Sequence, residues 1–199
     1  MSLNRRQIIA GASLTTLALT QQDAPLVPAA HAQTQSGFQQ APSFYRYKIG
    51  DVTITAIHDG YGEAPLENFV RNASLEDVRK IAEQEFFPKD KVRITYTQIV
   101  IENNGKITLV DTGNGDSGAP TAGRFMANFK AAGFDPAKVD RVVISHFHGD
   151  HINGLRLKNG TAQFPNAEIV VPEPEWAFWM DDGKMAQAPE GMKGAFNNV

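Results

Sequence analysis

The sequence predicts a layered α/β domain. Three observations carry the prediction. Runs of alternating or β-branched residues recur between amphipathic stretches; two pairs of such runs are joined by short turn signals; and one compact run, VDRVVIS at 139–145, leads directly into a cluster of histidines and a carboxylate. Ligand sites in layered sheets of this kind lie beyond the carboxyl ends of strands. The end of that run is therefore where a site is expected.

The elements follow in order. Residues 33–43, QTQSGFQQAPS, are polar with little apolar pattern and read as a flexible linker, so the folded domain is expected over 44–199. YRYKIGDVTITAIHDG alternates apolar and polar residues on either side of Gly50-Asp51, as a hairpin does. In ASLEDVRKIAEQEFFP, Ser74 and Asp77 have capping-box spacing, Val78, Ile81, Ala82 and Phe86 recur at helical intervals, and Pro88 closes the stretch. RITYTQIVIENNGKITLVDTG holds two β-rich runs around Asn104-Gly105, a strong hairpin signal, and ends in Asp111-Thr112-Gly113. RFMANFKAAG places apolar residues at 125, 126 and 129 before Gly133, a helix with its stop, and Asp135-Pro136 suits an N-cap and first position of a short turn. VDRVVIS suits a buried strand, AEIVV a further strand and PEWAFWM the start of a helix, with INGLRL a helix after the histidines.

Residues 1–32 read as an export leader rather than as fold. Arg5 and Arg6 precede the apolar run IIAGASLTTLAL, and Ala30-His31-Ala32 is a small-residue cleavage pattern. Paired arginines before a weakly apolar run resemble a twin-arginine signal, although Asn4 and Ala10 depart from it and a general secretory signal is the alternative. Export to the periplasm or beyond is the expectation. Without Arg5, Arg6 and Asp23 the chain keeps 17 basic and 21 acidic residues, a balance of −4 with no basic cluster, so neither nucleic acid nor an anionic membrane is expected as partner. The chain has no cysteine, which excludes disulfides, thiolate zinc sites and a cysteine nucleophile. Any metal must be held by imidazole and carboxylate.

SHFHGDHINGL supplies those groups: His146, His148, Asp150 and His151 fall within six positions of a chain with five histidines. In extended chain, residues i and i+2 point the same way, so His146 and His148 can converge on one ion with Asp150 in the same file. A helix would put the two rings about 200° apart. His151 breaks the alternation, as expected where the chain turns into a helix, and one pair of ligands can face one ion and the next pair a second. These ligand types fit zinc, with iron, manganese or cobalt also compatible. Two such ions would share a hydroxide of lowered pKa and polarise a carbonyl or phosphoryl oxygen, a hydrolytic mechanism needing no protein nucleophile.

HFHGDH after a β-branched strand, with LVDTG some 35 residues earlier, resembles the metallo-β-lactamase superfamily signature H-x-H-x-D-H. GDVTITAIHDG, GRFMANFKAAGFDPAKVD and FPNAEIVVPEPEWAFW are similar to its branch of methyl parathion hydrolase and quorum-quenching lactonases. The resemblance implies an αββα sandwich, of which 44–199 would be the N-terminal half to two-thirds. It implies that His146 and His148 hold a first ion and Asp150 and His151 a second, that Asp150 assists protonation of the leaving group, and that Asp111 orients the ligand loop. The family also uses a third histidine, a bridging carboxylate and a last histidine. No histidine follows His151 here, so a C-terminally truncated chain, inactive or weakly active by itself, is expected, with apolar sheet surface exposed.

In that branch aromatic residues line the leaving-group pocket, and Trp179 and Phe196 fall at similar positions. Trp176 and Met180, at i, i+4 spacing, read as a core-facing stripe. Asp181-Asp182-Gly183 reads as a solvated turn rather than as the bridging carboxylate, and His58, beside an Asp59-Gly60 turn, as a hydrogen-bonded structural residue. Gly118-Ala119 stands where the organophosphate-cleaving relative carries an aromatic, which argues for a lactone or carboxylic ester before an organophosphate ester. The expected activity is hydrolysis of such a small molecule, with an iron-dependent sulfur or redox enzyme of the same fold as the alternative. Self-association as a homodimer and passage through an export machinery complete the expected partners.

Overall fold

The computed structural model describes residues 41–67, 69–116 and 120–199. The leader, most of the linker and the Gly118-Ala119 loop lie outside the described residues. Strands β1 (Phe44–Ile49) and β2 (Val52–Pro65) form the first hairpin, turning at Gly50 with φ +59°. Strands β3 (Lys91–Asn103) and β4 (Lys106–Val110) form the second, where Asn104 and Gly105 have φ of 48° and 74°. Two successive positive φ values are what a tight I′ hairpin turn requires, and Asn-Gly is the dipeptide that adopts them at least cost.

The pairing changes character after β4. Strand β5 (Arg141–Val143) lies parallel to β4, and β6 (Glu168–Val170) parallel to β5, completing a six-stranded sheet in the order β1-β2-β3-β4-β5-β6. Parallel neighbours need a crossover. The β4–β5 connection carries helix α2 (Phe125–Ala131) and the 3₁₀ turn Pro136–Lys138, where Asp135 accepts from the Ala137 N–H. The β5–β6 connection carries helix α3 (Gly149–Ile152), continued by the 3₁₀ turn Asn153–Leu155. Parallel strands end on the same edge, so the carboxyl ends of β4, β5 and β6 lie side by side.

Register puts Thr55, Val100, Leu109 and Val142 in one row across β2 to β5, and all four are fully buried. Phe125 and Phe129 of α2 belong to the same core, and Phe129 stacks on Phe134 with ring centroids 5.1 Å apart. Each fully buried side chain of this size contributes roughly 1.5–3 kcal/mol. The neighbouring row on the opposite face, Tyr45-Ala56-Ile99-Val110-Val143-Val170, is barely covered at its ends, with Tyr45 71% exposed. The described residues thus form one sheet with one face in the core and the other less covered.

Helix α1 (Leu75–Gln84) begins where its cap predicts, with the Ser74 hydroxyl oxygen accepting from the Asp77 N–H at 3.1 Å. Its apolar stripe is not buried. Phe86, counted into the helical period, lies beyond the helix end at φ 61° and is 97% exposed. The expected turn at Asp59-Gly60 is instead a bulge inside β2, which continues to Pro65.

Asp140 pins the starts of β4 and β5 together, accepting from Lys106 Nζ at 2.6 Å and from the Ile107 N–H at 2.8 Å. The Lys106 ammonium, then the Ile107 N–H, hold its carboxyl below the usual carboxylate value. A depressed carboxylate contributes stability that is present above its unfolded pKa and is lost as pH falls through the lowered folded value. Asp140→Asn is therefore expected to lower the Tm at neutral pH, with the difference from the unsubstituted chain closing in acid. Thermal melts at both pH values check this, and an equal gap at both would break the link.

Candidate metal centre

The β4/β5 pairing builds the site. Val110 sits opposite Val143, so the residue after each strand reaches the same edge. Asp111 donates its N–H to Val143 O at 2.9 Å and has φ 59°, a left-handed conformation that Asp tolerates better than most side chains. Its carboxylate accepts from the Ser145 N–H at 2.8 Å and the Ser145 hydroxyl at 2.8 Å, and pairs with His151 Nδ1 at 2.8 Å. Thr112 adds a second tie, its N–H and hydroxyl both donating to His151 O at 2.8 Å. At Gly154 a Cβ would stand 2.0 Å from Thr112 O, so only glycine permits the two loops to approach this closely.

Helix α3 begins at Gly149, three residues earlier than INGLRL suggested, and takes in Asp150 and His151. Asp150 consequently leaves the strand-like file of His146 and His148 and joins His151 on the helical turn. The three rings come together: His146 lies 4.6 Å from His148 and 3.8 Å from His151, centroid to centroid. Burial, then the neighbouring His151 and His148, push the His146 imidazole below its usual pKa, which leaves a ring lone pair free. The hydrogen bond to Asp111 raises His151. Burial pushes Asp111 up, but the hydrogen bonds from His151 and Ser145 outweigh it and hold the carboxyl below its usual value.

Donor type, and the spacing of one donor pair, fit a divalent ion. With Nδ1 held by Asp111, His151 Nε2 faces Asp150 Oδ2 at 3.2 Å. A tetrahedral ion with bonds of about 2.05 Å would separate two neighbouring donors by about 3.3 Å. Among the described residues, no group of three His, Asp or Glu side chains is already set around one point. The His146 ring lies over that of His151 rather than beside it, so gathering all four groups on ions requires the rings to turn.

The other expected residues fall as follows. Helix α4 (Glu173–Trp179) carries Trp179, which is buried and meets His148 edge-on with centroids 6.3 Å apart. Phe196, in helix α6 (Glu190–Asn198), is buried and packs on Trp179 with ring centroids 4.7 Å apart. Trp176 and Met180 are not core: they are 53% and 43% exposed and line a cavity of about 830 Å³ with Ile169, Phe164 and Arg156. The i, i+4 spacing defined a stripe but not its direction, and the stripe of Glu175 and Trp179 faces inward instead. Asp181 caps helix α5 (Asp182–Gln187), accepting from the Lys184 N–H at 3.0 Å. His58 is held by its main chain, with its N–H donating to Ser43 O and its carbonyl accepting from Asn128 Nδ2.

Two contributors escaped sequence reasoning. Asp59, fully buried at the β2 bulge, accepts from the Asn114 N–H and Nδ2 at 2.9 Å and from the Phe125 N–H at 2.7 Å, so it fixes the loop after Gly113 and the start of α2. Its Asp-Gly context reads as a turn and hides it. Tyr96 of β3 has its phenol raised by burial and then by the Asp150 and Asp59 carboxylates.

Fold and site define the class: a layered domain with imidazole and carboxylate donors gathered at the carboxyl edge of parallel strands. The metallo-beta-lactamase superfamily model matches residues 95–192, just under half of the chain, and the chain is similar in fold to solved members of that superfamily. Among solved structures the chain is similar to the hydrolase AbOPH of the beta-lactamase superfamily, with 28% identity, TM-score 0.73, and 80% of this chain and 56% of that one covered. It shares the fold of AidC, a dizinc quorum-quenching lactonase solved with a product, at 24% identity and TM-score 0.71 over 77% of this chain and 55% of that one. Among curated proteins it is similar to ribonuclease Z of Thermococcus onnurineus, 32% identical over 82 residues, 40% of this chain and 24% of that protein. The chain thus spans about a quarter of the curated relative and just over half of each of these structures.

Asp111→Asn tolerates the left-handed backbone and keeps an acceptor, but removes the charge opposite His151. It is expected to weaken Zn²⁺ binding about 10–100-fold, as loss of an outer-shell partner does. Competition with a chromophoric chelator measures this, and unchanged affinity would show that Asp111 does not orient the ligand.

Proposed function

We propose that this chain carries the first ligand cluster of a metal-dependent hydrolase acting on a lactone or carboxylic ester, with an organophosphate ester as the less favoured substrate. The observation that carries the reading is the Asp111–His151–Asp150 relay, where one carboxylate holds Nδ1 and the other lies 3.2 Å from Nε2. Support comes from AbOPH, named a hydrolase, and from AidC, named a dizinc lactonase. The methyl parathion hydrolase and lactonase branch belongs to the same proposal, on the stretches GDVTITAIHDG and FPNAEIVVPEPEWAFW.

Divalent ions, zinc first, would supply Lewis acidity toward the substrate oxygen and an activated water near neutral pH. The chain's own residues do the rest. His146 and His148 would hold the first ion, Asp150 and His151 the second. Asp111 keeps the Nδ1 proton of His151 in place, so that the Nε2 lone pair is the one presented. Asp150 would take the proton released by the attacking water and pass it to the departing oxygen, and Trp179 beside His148 walls the leaving-group side against bulk water. The −4 balance of the chain after the leader favours a small uncharged ester over a polyanion. The Arg5-Arg6 leader adds export to the proposal, with the chemistry located in the periplasm or outside the cell.

The test is hydrolysis of a γ-lactone, an aryl acetate and a dialkyl aryl phosphate by the Zn²⁺-loaded full chain. Lactone or acetate turnover is expected to exceed phosphate turnover, to vanish on chelation, to return with Zn²⁺, and to be lost in His148→Ala. Turnover that survives both chelation and His148→Ala would sink the reading. So would a Zn²⁺ affinity that His148→Ala leaves unchanged.

A further inference from the structure

We infer that Glu175 is a positioning residue for the histidine turn: one carboxylate oxygen fixes both the backbone between His146 and His148 and the indole that borders His148. Its consequence for metal binding rests on the proposed metal centre, whereas its effect on the loop does not. Glu175 Oε2 accepts from the Phe147 N–H at 2.9 Å and from Trp179 Nε1 at 2.9 Å. Neither donor is a cation, so both bonds take their strength from the carboxylate's charge. Charge-assisted bonds of this kind are about twice as strong as neutral ones.

Phe147 is the residue on which the presentation of the two rings turns. Its side chain is buried in the core with Ile144, Ile152 and Phe164. Its main chain is held on the other side by Glu175, so the residue is fixed at two points. In extended chain the side chains flanking an inward residue point outward together, and His148 is extended, with φ −73° and ψ 152°. Pinning Phe147 inward is what sends His146 and His148 to the same side. Without the carboxylate, the Phe147 N–H would lose its acceptor and the turn would be free to twist.

The same oxygen orients α4. Trp179 lies one helical turn after Glu175 on the same face, and its indole N–H returns to the carboxylate that holds Phe147. The ring is then presented edge-on to His148 and packs on Phe196. This choice of face also leaves Trp176 and Met180, about 100° further round the helix, half-exposed along the cavity. The sequence offered only Glu and Trp at i, i+4, a pattern with many ordinary meanings.

The experiment compares Glu175→Ala and Glu175→Gln with the unsubstituted full chain. The metal-independent readout is amide exchange at Phe147 and the NMR signals of the Trp179 indole N–H and the His148 imidazole. Exchange at Phe147 is expected to accelerate by about tenfold or more in Glu175→Ala, with both side-chain signals shifted. Glu175→Gln, which keeps an acceptor without charge, should fall between. The metal readout is Zn²⁺ affinity by chelator competition, expected to drop about 10–100-fold in Glu175→Ala and to recover in large part in Glu175→Gln. A lower Tm with Phe147 exchange and the His148 signal unchanged would reduce Glu175 to a helix-docking group and overturn the inference. If the unsubstituted chain takes no Zn²⁺ but Phe147 and Trp179 respond, the metal centre fails while the positioning of the loop stands. Should Glu175→Ala not fold, Glu175→Gln decides alone, and Phe147 exchange at the unsubstituted rate would overturn the inference.

Discussion

The site depends on the parallel pairing of β4 with β5. Three residue pairs, ending at Val110 and Val143, align two strand ends that are more than thirty residues apart in sequence. Everything chemical follows from that alignment. The Asp111 N–H continues the ladder onto Val143 O, its left-handed backbone swings the carboxylate across the strand end, and the Ser145 N–H and His151 Nδ1 are there to meet it. A slip of one residue would flip Val142 out of the fully buried row it shares with Val100 and Leu109, so burial of the sheet and alignment of the site are enforced together.

That alignment also explains the protonation pattern. Asp111 is partly buried, which alone would favour its neutral form, yet three donors converge on it and the charged form prevails. The charge is then felt by His151, whose Nδ1 is committed and whose Nε2 is turned toward Asp150. A single carboxylate at a strand end thus meets Nδ1 of a histidine eight residues beyond the end of the neighbouring strand and leaves its Nε2 turned outward. Such coupling between an outer carboxylate and an imidazole is a common way of fixing ligand orientation.

Much of this was legible in the amino-acid sequence because the signals are local. Asn104-Gly105 requires a two-residue turn, Ser74 with Asp77 requires a helix start, and HFHGDH puts its donors within a few residues of each other whatever the remainder of the chain does. What escaped depends on direction and distance. Asp59 is a single carboxylate whose three donors come from Asn114 and Phe125, both more than fifty residues away. Glu175 meets Phe147 across 28 residues. Periodicity marked the stripe of Trp176 and Met180 correctly as a stripe, but nothing within α4 says which of its sides faces the sheet. The helix reading of Phe86 failed for a related reason, since a repeating interval cannot register that the backbone has already turned out of the helix.

The bare backbone of Gly154 against Thr112 O has a mechanical side. With no side chain between them to act as a cushion, the loop after β4 and the turn that carries Asp150 and His151 are locked at main-chain distance and cannot slide past one another. Any breathing of this edge must carry both loops as one stiff piece, so thermal motion will change where the centre sits far more readily than how its parts are spaced.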